Sequence, residues 1–279
     1  MNRMMITASN TMGQLQKKLD TVSHNLANSE TTGYKSKQAY FSDFLVQEIN
    51  NQERTEKEKG RLTPNGIRVG TGAIMSQSQL NTGLGTIKKT DRDLDVALNK
   101  ENLYFTVSVQ NGANRETRFT RDGAFYLSPV GDQLQLVTSE GYPILNVNNE
   151  AILIGSDMKE MTFSSDGEIR VTYENNGTET IDLGIISVEK PQFLENVSDN
   201  TFTLPNNMAQ LGVTENEIYT PLTGALRNQV SLTQGALEQS NVDVSTEMTE
   251  LIQVQRQYQF QSRAVSMADQ MMGLVNGIR

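Results

Sequence analysis

The residues able to do chemistry in this chain are few. There is one histidine, His24, and no cysteine. A two-histidine metal site, a thiolate zinc site, a disulfide and thiol catalysis are therefore all excluded by composition. No Gly-x-Ser-x-Gly elbow occurs, and a Ser-His-Asp triad would have to recruit His24 from the end of a helix whose other residues read as structural. Asp91, Asp93 and Asp95 alternate like the opening of a calcium loop. The sixth position is Val96, where the loop's sharp turn needs glycine, and the twelfth is Asn102, where a bidentate glutamate belongs. That run reads better as a solvated edge leading into a strand. The stretch "GIRVGTG", residues 66 to 72, lacks both the third glycine of a dinucleotide fingerprint and the Lys-Ser/Thr step of a phosphate loop. The 33 acidic residues offer no marked pair, and an aromatic content of 6% is low for a sugar-binding cleft. No catalytic, cofactor or metal residues are expected: the pattern is that of an interaction protein, not an enzyme.

The bulk properties narrow the class of partner. A net charge of −9 argues against nucleic acid and against an anionic membrane surface, since both need clustered Lys and Arg. No run approaches the roughly 20 apolar residues of a membrane span. The first twenty residues, "MNRMMITASNTMGQLQKKLD", lack the unbroken apolar stretch and small-residue cleavage site of a secretory signal. Apolar residues are 36% of the chain and tryptophan is absent, which is lean for a core of this length. Part of the chain is expected to bury its apolar face against partners.

The elements that would meet such partners lie at the two ends. Met5, Ala8, Met12, Leu15, Leu19, Val22 and Leu26 recur in alternating steps of three and four, the period of a coiled-coil seam. Val244, Glu247, Leu251, Val254, Tyr258, Gln261, Val265, Ala268, Met272 and Val275 repeat it at the C-terminal end. Glu247 and Gln261 interrupt the second seam, and polar residues there can set register. Met248, Ile252, Met271 and Ile278 add apolar surface beside it, more than one two-helix contact needs. Asp243, or Ser240 with Asp243, can cap this helix, and Glu247 and Glu250 suit its N-terminal end. Isolated helices are marginal in water, so the two ends are expected to pair with each other and with neighbouring molecules, and to be loose in a free monomer.

Between the ends the period changes. From about residue 103 to 204 come short β-prone runs: "LYFTVSV", "AFYLS", "QLQLV", "AILI", "EIRVTY", "TIDLGIISVE" and "TFTL". Asn111-Gly112, Asp122-Gly123, Asp166-Gly167 and Asn176-Gly177 punctuate them as tight turns. The polar, charged stretch from residue 47 to 66 has no apolar period and reads as a linker or extended arm. The expected fold is α+β: a mainly antiparallel β central domain, with N- and C-terminal heptad helices that pair as a coiled coil. The expected organisation is an N-terminal helix and exit turn (1–34), an extended arm (35–85), a β-rich outer domain (86–225), and a return segment with the C-terminal helix (226–279).

One motif lies outside this scheme. "NLANSETTGYK", residues 25 to 35, resembles the signature of the bacterial flagellar rod and hook proteins. "LTPNGIRVGTG", "DLDVAL", "FTRDGAFYL", "LVTSEGYPIL" and the long block "GALEQSNVDVSTEMTELIQVQRQYQFQSRAVSMADQMM" are similar to segments of the distal-rod proteins in the same order. "NKENLYF" departs from them, with Lys100, Glu101 and Asn102 where a glycine-rich step precedes the aromatics; this points to a distal-rod paralogue, such as Gram-positive bacteria carry. The resemblance implies a structural subunit of the basal-body rod that self-assembles into a helical tube and transmits torque from motor to hook. It also implies unfolded passage through the flagellar type III export apparatus without a cleaved signal, and neighbouring rod and hook proteins as partners. By this resemblance, the region from about 47 to 66 is where distal-rod proteins carry an extra segment associated with rod stiffness.

In such a tube the helices line the channel, and the chain must leave them sharply. On this view Asn25 and Asn28 bond the last helical carbonyls and Asn28 tolerates a left-handed turn. Thr31 and Thr32 satisfy the departing backbone, Gly33 supplies an unusual φ, and Tyr34 anchors the turn. The expected assembly residues are Met5, Met12, Leu15, Leu19, Val22 and Leu26 with Leu251, Val254, Tyr258, Val265, Met272 and Val275. The competing reading is a secreted binding module, adhesin or assembly cap that uses the β domain for a ligand.

Overall fold

A computed structural model describes residues 2–43, 46–49, 67–70, 72–111, 114–198, 200–205 and 208–277. In chain order the elements begin with α1 (Asn2–Ala27), β1 (Lys37–Asp43), β2 (Val46–Ile49), β3 (Ile67–Gly70), β4 (Ala73–Leu80), β5 (Ile87–Lys89) and β6 (Val96–Leu98). Next come β7 (Leu103–Asn111), β8 (Asn114–Thr120), β9 (Tyr126–Val130), β10 (Gln133–Val137), β11 (Leu153–Gly155), β12 (Met158–Phe163), β13 (Glu168–Tyr173), β14 (Thr178–Asp182) and β15 (Ile185–Val188). The chain closes with β16 (Glu195–Asn196), β17 (Thr201–Thr203), the one-turn helices α2 (Met208–Leu211) and α3 (Glu215–Ile218), β18 (Tyr219–Pro221), β19 (Leu232–Gln234), β20 (Ala236–Glu238) and α4 (Val244–Gly277). Two compact units result. Unit 1 holds residues 1–26, 37–79 and 244–279; unit 2 holds 27–36 and 80–243.

Unit 1 contains both long helices. Ala8, Leu15 and Val22 of α1 are buried, as are Val254 and Ala268 of α4, and the polar residues between them are exposed or half-buried. The helices touch through the Lys18–Glu250 ion pair and through Asn25, whose Nδ2 donates to Glu247 Oε1 at 3.0 Å. The stretch expected to be an extended arm is instead a set of ladders. β1 pairs with β4, and β2 runs antiparallel to β3 with Val46 opposite Gly70 and Ile49 opposite Ile67. Met75 N donates to Gln14 Oε1 at 2.9 Å, which ties β4 to α1. The charged centre of the expected linker, residues 50–66, lies outside the described residues.

Unit 2 is built on a six-stranded sheet of order β16-β17-β8-β7-β15-β18. Alternation along β7 sends Phe105, Val107 and Val109 into the main core and Tyr104 into a second cluster with Phe119, Ile186, Val188 and Phe202. The sheet is therefore buried on both faces at its centre. Two three-stranded antiparallel sheets, β11-β10-β9 and β12-β13-β14, contribute Leu136, Ile154, Met161, Ile169 and Val171 to the main core.

The run "TIDLGIISVE" is two strands in two sheets, β14 and β15. They part at Gly184, where a Cβ would lie 2.2 Å from Thr106 Oγ1, so the chain crosses where only glycine fits. Asp166-Gly167 and Asn176-Gly177 turn between strands as expected, with Gly167 and Asn176 at φ +85° and +58°. Asp122-Gly123 does not make a hairpin. It is a buried crossing in which a Cβ on Gly123 would lie 1.7 Å from Val96 O.

Candidate functional site

The segment 27–36 belongs to unit 2, and its last residues are built into that unit. Lys35 is 1% exposed and Tyr34 likewise. Lys35 Nζ donates to Glu238 Oε1 and to Gly83 O, each at 2.7 Å. The same Oε1 accepts Gly85 N at 2.9 Å, while Glu238 Oε2 accepts both Nε and Nη2 of Arg121 at 2.6 Å. Arg121 Nη1 donates to the carbonyls of Lys100, Glu101 and Leu103 at 2.7–2.8 Å. Two cations and one carboxylate thus sit out of water, with every oxygen of the carboxylate used and a net charge of +1 offset by carbonyl dipoles.

The electrostatics follow from that count. Burial, then the charge of Arg121, lower the Lys35 amine to about 8 against the pull of Glu238. Burial would raise the Glu238 carboxyl, but the charges of Arg121 and Lys35 outweigh it and hold it below its ordinary value.

Backbone contacts complete the anchor. Gly33 takes φ +68°, and a Cβ there would lie 2.6 Å from both Arg121 C and Asp122 N. Gly33 N donates to Glu238 O at 2.9 Å and Ser36 N to Asn241 Oδ1 at 2.8 Å. Asn241 Nδ2 reaches Asn81 O and Gly83 O. Thr32 Oγ1 donates to Asp122 Oδ1 at 2.9 Å. Burial raises the Asp122 carboxyl, and the bonds from Ala124 N, Thr32 and Ser139 act against that shift.

The signature therefore does more than leave a helix. The left-handed step falls at Gly33 and not at Asn28, whose side-chain oxygen accepts Thr31 Oγ1. Asn25 is still inside α1: both its amide protons go to Lys37 O and Glu247 Oε1, and its oxygen accepts Lys37 N. Arg121 and Glu238 were not singled out from the sequence. No local signal marks them: Arg121 stands beside Asp122 in "RFTRDGAF", and Glu238 follows two apolar residues in "GALEQ".

The expected assembly residues divide by burial. Leu15, Val22 and Val254 are buried; Met5, Met12, Leu19, Leu26, Leu251, Tyr258, Val265 and Met272 are half-buried; Val275 is exposed. Asp95 of the acidic run is buried and paired with Arg92 at 3.1 Å, and no metal-holding group of acidic or histidine side chains occurs among the described residues.

Three family models match this chain: a flagella basal body rod protein model over residues 5–35, a flagellar hook protein FlgE/F/G D1 domain over 102–171, and a flagellar basal body rod FlgEFG protein C-terminal model over 233–278. Along the whole of both chains it is 42% identical to the flagellar hook-basal body complex protein FlhP of Bacillus subtilis. It is 32% identical to the flagellar basal-body rod protein FlgG of Buchnera aphidicola from Schizaphis graminum, over 91% of each chain, and 30% identical to FlgG of Borreliella burgdorferi over 100% and 99%. The chain belongs to the flagellar basal-body rod protein family. That family is structural and not enzymatic. Each of its three matched segments supplies one member of the ion cluster: Lys35, Arg121 and Glu238.

Proposed function

We propose that this chain is a subunit of the distal rod of the flagellar basal body, polymerising as a helical tube that carries torque to the hook. Its terminal helices pair as a coiled coil, and it travels unfolded through the type III export apparatus without a cleaved signal. Neighbouring rod and hook proteins flank it along the axis.

The observation that carries this reading is that α4 has two apolar faces. At about 100° per residue, Leu251, Val254, Tyr258, Val265, Ala268 and Met272 share an arc of about 100°. Met248, Ile252, Phe260, Met267, Met271 and Leu274 share a second arc, about 140° wide and centred opposite the first. The second face is exposed, with Phe260 and Leu274 at 68% and 69%. A helix that covers one apolar face within its own unit and leaves an equally long one bare is made to pack on other copies.

Deleting the gene and examining cells by electron microscopy tests this. The expected result is loss of hooks and filaments, restored by the full chain but not by a chain lacking residues 1–28 or carrying Phe260→Asp with Leu274→Asp. Normal hooks and swimming in the deletion strain would overturn it.

A further inference from the structure

Unit 2 presents two strand edges of opposite charge on separate borders. Among the described residues β5 pairs with β20 alone, and Ile87, Lys88 and Lys89 are all exposed, so both its faces and one edge are bare of described neighbours. Two consecutive lysines on a bare edge stand out in a chain of net charge −9. β14 forms the outer edge of its three-stranded sheet; Asp182 O at its far end accepts Val147 N, and the exposed acids Glu174, in the turn before the strand, and Glu179 lie at its hairpin end. Glu179 is oriented by the Tyr173 hydroxyl, which donates to it. Asp182, at the far end of β14, is paired with Arg227 at 3.3 Å and plays no part here.

The two edges are kept apart within one copy. β20 continues through Gly235 into β19, and Gln234 of β19 bonds Met161 O and Phe163 N of β12. β12 and β13 then separate β19 from β14.

We propose that the Lys88–Lys89 edge of one copy docks on the acidic hairpin end of β14, at Glu174 and Glu179, of the next. This rests on the rod reading, which requires copies to meet, and adds to it where and with what polarity their β domains meet. A contact between two different patches of the same chain is heterologous, and repeated it gives an open helical polymer. Lysine on an edge repels a second copy of that edge, which is how bare strands are guarded against self-pairing. It does not repel an acidic edge. The charge pattern thus disfavours β5 on β5 and β14 on β14 and favours β5 on β14, which sets a single direction of growth.

The absence of cysteine makes the test specific. Lys88→Cys and Glu179→Cys are introduced together as the sole chain in cells, and isolated basal bodies are oxidised and run on a non-reducing gel. A disulfide requires Cα atoms within roughly 7 Å, so the expected result is a ladder beyond the dimer for the double variant and none for either single one. The chain present in basal bodies without a ladder overturns the contact. Wild-type chain missing from basal bodies overturns the rod reading instead. As a second measure, K88E with K89E should cut the number of complete basal bodies at least about tenfold, and adding E174K with E179K should restore it. Loss without restoration places the partner of β5 elsewhere and refutes the pairing.

Discussion

Replacing Gly33 by alanine separates two costs that usually come together. A Cβ there meets backbone atoms Arg121 C and Asp122 N at 2.6 Å, and backbone cannot swing aside as a side-chain tip can. The residue also sits at φ +68°. The left-handed conformation costs a non-glycine residue about 1–2 kcal/mol, and forcing an extra carbon into a packed contact about 1–3 kcal/mol. The sum is about 2–5 kcal/mol, or a fall in Tm of roughly 4–20 °C at about 2–4 °C per kcal/mol for a unit of this size. Gly131 is the control. It has φ +63° but nothing within 4 Å of its would-be Cβ, so Gly131→Ala carries only the conformational cost. Thermal unfolding of the purified full-length variants, followed by circular dichroism, gives both numbers. Gly33→Ala is expected to be clearly the more destabilised of the two. Equal shifts would mean that segment 32–36 is not pressed on the Arg121–Asp122 backbone, and the account of the signature given above would fall.

Glu238→Gln removes the carboxylate that pairs with two buried cations, and should cost about 3–5 kcal/mol in urea denaturation; a loss under 1 kcal/mol would refute the cluster. Glu250→Gln, at the half-exposed Lys18 pair, should cost less than about 1 kcal/mol, and a larger loss would show that exposure is a poor guide here. Lys35 gives the pH dependence an unusual sign. Its amine titrates at about 8 in the folded chain and at 10.5 unfolded, so between those values the unfolded chain binds more protons and stability rises with pH. Relative to Lys35→Met, the wild type should gain about 3 kcal/mol between pH 7 and 10.5; parallel stability curves for the two proteins would contradict the shift.

How far the sequence could be read depended on the range of the interactions. The heptads of α1 and α4 were legible because a helix repeats its face every few residues, so burial of Leu15, Val22 and Val254 is written locally. β7, β10 and β13 were legible for the same reason, through alternation and turn residues. β12 was missed because "MKEMTF" mixes charges into its exposed face, and β5 because all three of its residues are exposed. The stretch from 37 to 80 read as an arm because its ladders are paired across a long insertion, and no local period announces such a pairing.

By itself, then, the sequence determined that thiolate and two-histidine metal sites, disulfides and thiol catalysis are out of reach, since the counts of histidine and cysteine are properties of composition. It determined helices at both ends and strands between, and it carried a signature that marks the family. Only the tertiary structure decided what that signature does. Lys35, Arg121 and Glu238 are 86 and 117 positions apart along the chain, and a buried ion pair leaves no periodic trace. Gly33 reads as a turn residue in isolation; its real constraint is the backbone of residues 121 and 122 against it, which exists only once the chain has folded.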